Sequence, residues 1–293
     1  MPIIEVDWDS FEFRSHYFGE LMSKPKGKSN LDKYNEAVSA HDSFAEKLMS
    51  KSTSPTQAQL IKLNELDKKM NELKQFKDVP TFSRAALRRL SQIYTEETTG
   101  RKKDVESMYI EKGLKTEEDS ITKYSLKYGK MYRKNKERLS NGWVTGEIDF
   151  DDPDEDMVID TKSTWDIFTF DEKMTIGLSS IYEWQGHCYM WLKNRSRFRL
   201  AYCLNNTPEE MLKRMENSLK YNFYGTQEDF EEACALLRDK HTYNDLPLER
   251  KIYTFDLERN EEKIEEAKMM IPHFRNYLKN FGKQKTQEDD TED

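Results

Sequence analysis

Two carboxylates and an ammonium stand in the middle of this 293-residue chain at spacings that two neighbouring strands can use. They are Asp149, in Gly146-Glu147-Ile148-Asp149, and Asp160 with Lys162, in Val158-Ile159-Asp160-Thr161-Lys162. Alternate side chains of a strand share a face. Residues 144–150 read as a strand with Val144, Gly146, Ile148 and Phe150 on one face and Thr145, Glu147 and Asp149 on the other. Residues 157–162 read as its neighbour, with Val158, Asp160 and Lys162 opposite Met157 and Ile159. An acid and a lysine on a half-buried strand are costly to desolvate, and a divalent cation would balance them. Phosphodiester hydrolysis is the chemistry that fits. It needs an activated water and neutralisation of the charge that grows on the phosphate, and bound Mg²⁺ or Mn²⁺, two ions per site, supplies both.

Hard cations take oxygen ligands. Asp149, Asp160 and the Thr161 backbone carbonyl are the expected ones, and Lys162 is placed to orient or deprotonate the attacking water. Glu117 joins them from a helical stretch in which Glu117, Ile121, Tyr124 and Tyr128 share one face. A carboxylate on an apolar and aromatic stripe is anomalous, although an acid at a helix start is by itself ordinary. Gln185 lies on a later helix, on one face with Tyr182 and Tyr189, where it can hold a water or a phosphate.

The elements that must position these groups read as follows. Helices are expected over 10–23, 31–50, 56–78, 84–95 and 104–130, the last interrupted near Gly113. After the strand pair come a helix from about 173 to 192, a strand over 197–204, and helices over 208–220, 226–239 and 246–280. The polar, acidic tail after Gly282 has the composition of a disordered segment. The order helix, strand, strand, helix, strand implies an α/β core whose mixed sheet carries the acids.

With 36% hydrophobic and 35% charged residues the chain has the composition of a soluble protein, and no apolar run spans a bilayer. Cys188, Cys203 and Cys234 form no CxxC pair, so no disulfide framework or zinc cradle is indicated, and a reducing cytoplasm is expected. The net charge is −8, yet Lys123, Lys127, Lys130, Arg133, Lys134, Lys136 and Arg138 cluster just before the acidic strands. Lys127, Lys130, Arg133 and Lys134 are the phosphate contacts that such a cluster offers. Gly27-Lys28-Ser29 mimics the end of a P-loop, but Met22 stands where its first glycine belongs. The five histidines show no metal-binding spacing.

Taken together, the GxxD at Gly146–Asp149, the Ile159-Asp160-Thr161-Lys162 segment and the QxxxY at Gln185–Tyr189 resemble the central motifs of the PD-(D/E)XK nuclease superfamily, in its phage lambda-exonuclease and RecB-like branch. Lys112-Gly113-Leu114-Lys115-Thr116-Glu117 resembles that branch's KGxxxE helix, and Arg14–Met22 with the loop Lys24–Ser29 resembles its DNA-end segment. Asp160 stands where glutamate is commoner, and no proline precedes Asp149.

The resemblance implies a restriction-endonuclease-like core, a mixed central sheet flanked by helices, over residues 82–206. Helical additions would occupy 1–81 and 207–282, with the tail at 283–293. It implies a Mg²⁺-dependent exonuclease acting at ends of linear double-stranded DNA in phage-type recombination. Glu117, Asp149, Asp160, Lys162 and Gln185 would be its catalytic set. Arg14, Ser15, Lys24, Lys26, Lys28 and Tyr189 would touch DNA. A ring-like homo-oligomer and a single-strand annealing partner belong to the same expectation. Two rival readings are a structure-specific or nicking endonuclease of the same fold, and a non-catalytic nucleic-acid-binding or scaffold protein.

Overall fold

The computed structural model describes residues 4–50, 53–103 and 107–289, with backbone only over 282–289. In chain order the elements are β1 (Phe13–Arg14), α1 (Phe18–Leu21), α2 (Asn30–Met49), α3 (Gln57–Lys74), α4 (Arg84–Thr99), α5 (Met108–Lys115) and α6 (Glu117–Tyr128). There follow β2 (Leu139–Ser140), β3 (Val144–Gly146), β4 (Phe150–Asp152), β5 (Met157–Ser163), α7 (Ile167–Ile176), α8 (Ser180–Lys193) and β6 (Arg197–Cys203). The chain continues through α9 (Glu209–Tyr221), α10 (Gln227–Asp239), β7 (Ile252–Glu258) and α11 (Glu261–Asp289). Among the described residues no helix is long and apolar enough to cross a membrane. The end of the acidic tail, 290–293, lies outside the described residues.

The chain divides into two compact units. One comprises Met1–Asp9, Glu20–Gly100 and Glu266–Asp293. In it α2 and α3 form a hairpin, each opened by a capping box in which a side chain and a backbone N–H exchange hydrogen bonds: Ser29 with Asp32, and Thr56 with Gln59. Aromatic rings pack the remainder, Trp8 stacking on Tyr94 at 5.7 Å and Phe82 meeting Phe274 at 5.3 Å.

The other unit comprises Ser10–Gly19 and Arg101–Glu265, and it holds the acids. Its main sheet runs β4-β5-β6-β7, with β5 and β6 parallel and both outer pairs antiparallel. Residues 157–161 of β5 are all buried, as befits a central strand covered on both faces. On one face Ile121 and Tyr124 of α6 pack with Phe150, Met157, Ile159 and Ala201. On the other, Tyr189 and Met190 of α8 pack with Ile148, Val158, Phe198 and Leu200. A small second sheet, β1-β3-β2, lies in the same unit.

Four sequence expectations change. The helix expected over 10–23 is a short strand, a 3-10 turn over Ser15–Tyr17 and the single turn α1. The helix expected from 173 to 192 is α7 and α8, separated at Gly177, whose φ of +83° ends α7. The strand expected over 144–150 breaks at Glu147–Asp149, so Ile148 packs on the α8 face and Phe150 on the α6 face. The helix expected over 246–280 gives up its first part to β7, because Tyr253-Thr254-Phe255-Asp256-Leu257 alternates as a strand does.

Candidate active site

Asp149 sits in the break between β3 and β4, where the β4–β5 ladder has run out beyond the Phe150↔Ile159 pair. Its Oδ2 accepts from the Thr161 backbone N–H at 2.6 Å and from the Thr161 hydroxyl at 2.8 Å. The carboxylate thus does what a strand partner would have done. The N–H and C=O of one strand residue point to the same edge, so the Thr161 carbonyl lies on the Asp149 side, as a ligand role requires.

One residue back, Asp160 points to the α8 face and is 2% exposed. Lys162 follows on the same face with Nζ 2.5 Å from Asp160 Oδ2, a close ion contact lying off the direction of a hydrogen bond. The Lys162 ammonium lies over the Tyr182 ring of α8, 5.8 Å from its centroid. Burial pushes the Asp160 carboxyl up to about 7; Lys162 opposes this, while Asp149 and Glu117 add to it. Burial pulls on Lys162 in the opposite sense, but Asp160 and Asp149 outweigh it and hold its pKa well above the usual lysine range. A protonated Lys162 offers only hydrogen-bond donors to the cavity.

Glu117 opens α6. The break before it comes at Thr116 and not at Gly113, which stays inside α5. The Thr116 hydroxyl bonds back to the Lys112 carbonyl at 2.8 Å and tightens the end of α5. Glu117, Asp149, Thr161 and Lys162 then line one cavity of about 600 Å³, together with His16, Tyr109 and Tyr182. Asp160 lies buried directly behind the Lys162 ammonium on that wall.

Several expected contacts lie elsewhere. Gln185 is buried and donates to the Tyr189 hydroxyl at 2.7 Å. Tyr189 itself, expected at DNA, is buried under α8, its ring against Gly146. Ser15 is buried too and donates to the Thr145 carbonyl at 3.1 Å, while the Arg14 guanidinium lies over the Tyr17 ring at 5.9 Å. Lys130 is bound to Asp152 at 2.5 Å and Asp154 at 2.7 Å, Lys127 to the Ile252 carbonyl at 3.2 Å, and Lys134 to Glu117. Arg133 is exposed. Lys24, Lys26 and Lys28 line a cavity of about 800 Å³ within the other unit, with Arg84 beside them, and Lys28 also pairs with Glu36.

Sequence reasoning missed that Lys134 approaches Glu117, that Ser120 and Ser163 line the cavity, and that buried Asn205 bonds to both. The contacts of Asn205 span 42 to 89 positions, so no local pattern announces them.

The donors of this site fit a hard cation. Among the described residues no three His, Cys, Asp or Glu side chains are grouped to hold a metal ion, so an all-carboxylate cage is not what is built. Oδ2 of Asp160 is buried and accepts no hydrogen bond. Its neighbour there is the Lys162 ammonium, and Asp160, Asp149 and the Thr161 carbonyl offer only oxygens, the donor chemistry that Mg²⁺ accepts alongside water. Glu117 lines the same cavity and is paired with Lys134.

The chain superposes on the crystal structure of a phage-related exonuclease from Haemophilus somnus 129PT with a TM-score of 0.61, over 94% of this chain and 96% of that one, at 20% identity. The chain has a phage-exonuclease fold. Less similar to this exonuclease fold is an alkaline exonuclease (LHK-Exo) from Laribacter hongkongensis, with a TM-score of 0.49 and 13% identity over 71% of this chain and 88% of that one. No family model and no curated protein matches the sequence.

Proposed function

We propose that this chain is a Mg²⁺-dependent DNA exonuclease of PD-(D/E)XK type that hydrolyses phosphodiester bonds from the ends of linear duplex DNA. One observation carries the reading: Glu117, Asp149, Thr161 and Lys162 share a cavity, with Asp160 at its wall, in a chain folded like a phage-related exonuclease.

Asp149, Asp160 and the Thr161 carbonyl would hold the cation, with Glu117 completing the site through water or a second ion; the cation when bound lowers the pKa of water and neutralises phosphate charge. Thr161 keeps Asp149 oriented through two hydrogen bonds. Lys162 presents an ammonium to charge developing on the phosphate, and Asp160 aims it. Tyr182 walls the same cavity. Gln185 holds the hydroxyl of Tyr189 one turn along the same helix and so keeps the buried side of α8 ordered. A ring-like homo-oligomer and a single-strand annealing partner belong to the same proposal, and light scattering tests the first.

The test is release of nucleotides from linear duplex DNA with Mg²⁺, beside closed circular duplex and beside Asp160→Asn and Lys162→Ala. Wild type should digest only the linear form. Both variants should lose at least about a hundredfold in rate, as removal of charge-stabilising groups does elsewhere. Equal activity in all three proteins would reject the assignment, and cleavage of the circular form would favour an endonuclease.

A further inference from the structure

Asn205 stands just past the end of β6, fully buried, and its side chain reaches the helix that begins with Glu117. Its Nδ2 lies 2.7 Å from Ser120 Oγ, 3.1 Å from Ser163 Oγ and 3.2 Å from the Thr116 carbonyl. Its Oδ1 accepts from Lys123 Nζ at 2.7 Å. An ammonium can only donate, so Lys123 fixes which way round the amide sits. The Thr116 and Ser163 hydroxyls close the ring at 2.9 Å.

One amide is therefore tied to the residue before α6, to two turns of α6 and to the last residue of β5. Thr116 is one peptide from Glu117, and Ser163 is one peptide from Lys162. We propose that Asn205 is a positioning residue for hydrolysis, setting the separation of Glu117 on α6 from Lys162 on β5. This rests on the nuclease reading above.

The physical case is that, beside the apolar packing of Ile121 and Tyr124 on β5, the ends of helix and strand nearest Glu117 and Lys162 are joined by a polar network. Ser120, Thr116 and Asn205 are buried and Ser163 is half-buried, so a bond lost at Asn205 leaves its fully buried amide without a partner. Such a network holds one arrangement closely, where an apolar contact would allow sliding. Displacing a reacting group by about 1 Å can cost about a hundredfold in rate.

Asn205→Asp keeps the shape and the Oδ1 acceptor for Lys123 while removing the NH₂ donor. Two measurements on the full chain test the proposal. Amide hydrogen exchange over residues 116–121 should rise about tenfold, with β7 unchanged. In steady-state kinetics kcat should fall about 10- to 100-fold, with KM for linear duplex changed by less than about twofold.

The deciding step is a double-variant cycle with Glu117→Gln. If Asn205 acts by placing Glu117, adding Asn205→Asp to Glu117→Gln lowers kcat no further. Multiplicative losses, or unchanged exchange over 116–121, overturn the proposal. Ser120→Ala, which removes one of the same bonds, should give the same pattern more weakly, and it serves if Asn205→Asp does not fold. Absence of hydrolysis by wild type would sink the nuclease reading. The positioning role in hydrolysis would fall with it, while the exchange measurement would separately decide whether Asn205 holds α6.

Discussion

A single oxygen of Asp149 receives both the backbone N–H and the hydroxyl of Thr161, at 2.6 and 2.8 Å. Thr161→Val removes the hydroxyl bond and keeps the backbone one, so it should cost about 1–2 kcal/mol and leave nucleotide release within about tenfold of wild type. Asp149→Ala strands the N–H as well and should abolish release at a stability cost of about 1–3 kcal/mol. Urea denaturation and the release assay check the pair together. A Thr161→Val protein as inactive as Asp149→Ala would show that the hydroxyl has a chemical role of its own.

Gly186 lies inside α8, where alanine would ordinarily gain about 1 kcal/mol. A Cβ there would stand 2.4 Å from Cδ1 of Phe198, a fully buried ring of β6. Helix and strand must separate to admit it, so Gly186→Ala should destabilise by about 1–3 kcal/mol. Restoration of stability by the second change Phe198→Leu would confirm the clash.

Lys112 is 1% exposed and donates to the Trp165 carbonyl at 2.6 Å. Burial lowers its pKa to about 8 from 10.5, with Asp166 opposing and Lys123 adding. Between those two values the unfolded chain holds a proton that the folded chain has released. Stability therefore gains with rising pH through this group. Wild type should improve relative to Lys112→Met as the pH rises from about 8 towards 10.5. Parallel stability–pH curves for the two proteins would refute this.

Tyr189→Phe removes the acceptor of the buried Gln185 amide. A cost of about 1–3 kcal/mol is expected, with KM for linear duplex unchanged, because the ring lies in the core. A raised KM with unaltered stability would return Tyr189 to the DNA surface.

What could be read from the chain alone follows the range of each interaction. Alternation in 157–162 placed Val158, Asp160 and Lys162 on one face, and the α8 side of the sheet is where Val158 packs and where Lys162 meets Tyr182. The helix starts at Ser83 and Pro208 were equally legible, since a start signal is local. The break at Glu147–Asp149 was not, because what ends the strand is a bond from Asp149 to a residue twelve positions on. β7 carried a period-two signal in Tyr253, Phe255 and Leu257, but the helix-forming charged residues around it masked that signal. Asn205 had no local signature, since its partners are assembled only by the fold.

Most of the cations before the acidic strands already have partners within the protein. Lys123 serves Asn205, Lys127 a carbonyl, Lys130 two aspartates, Lys134 Glu117 and Arg138 Glu147, while Arg133 and Lys136 are exposed. A side chain already neutralised by its own protein displaces few counterions when a polyanion arrives. Affinity for duplex DNA should accordingly weaken with salt far more gently than the richness of lysine and arginine in this segment would imply, by about one logarithmic unit per tenfold salt for each phosphate actually met.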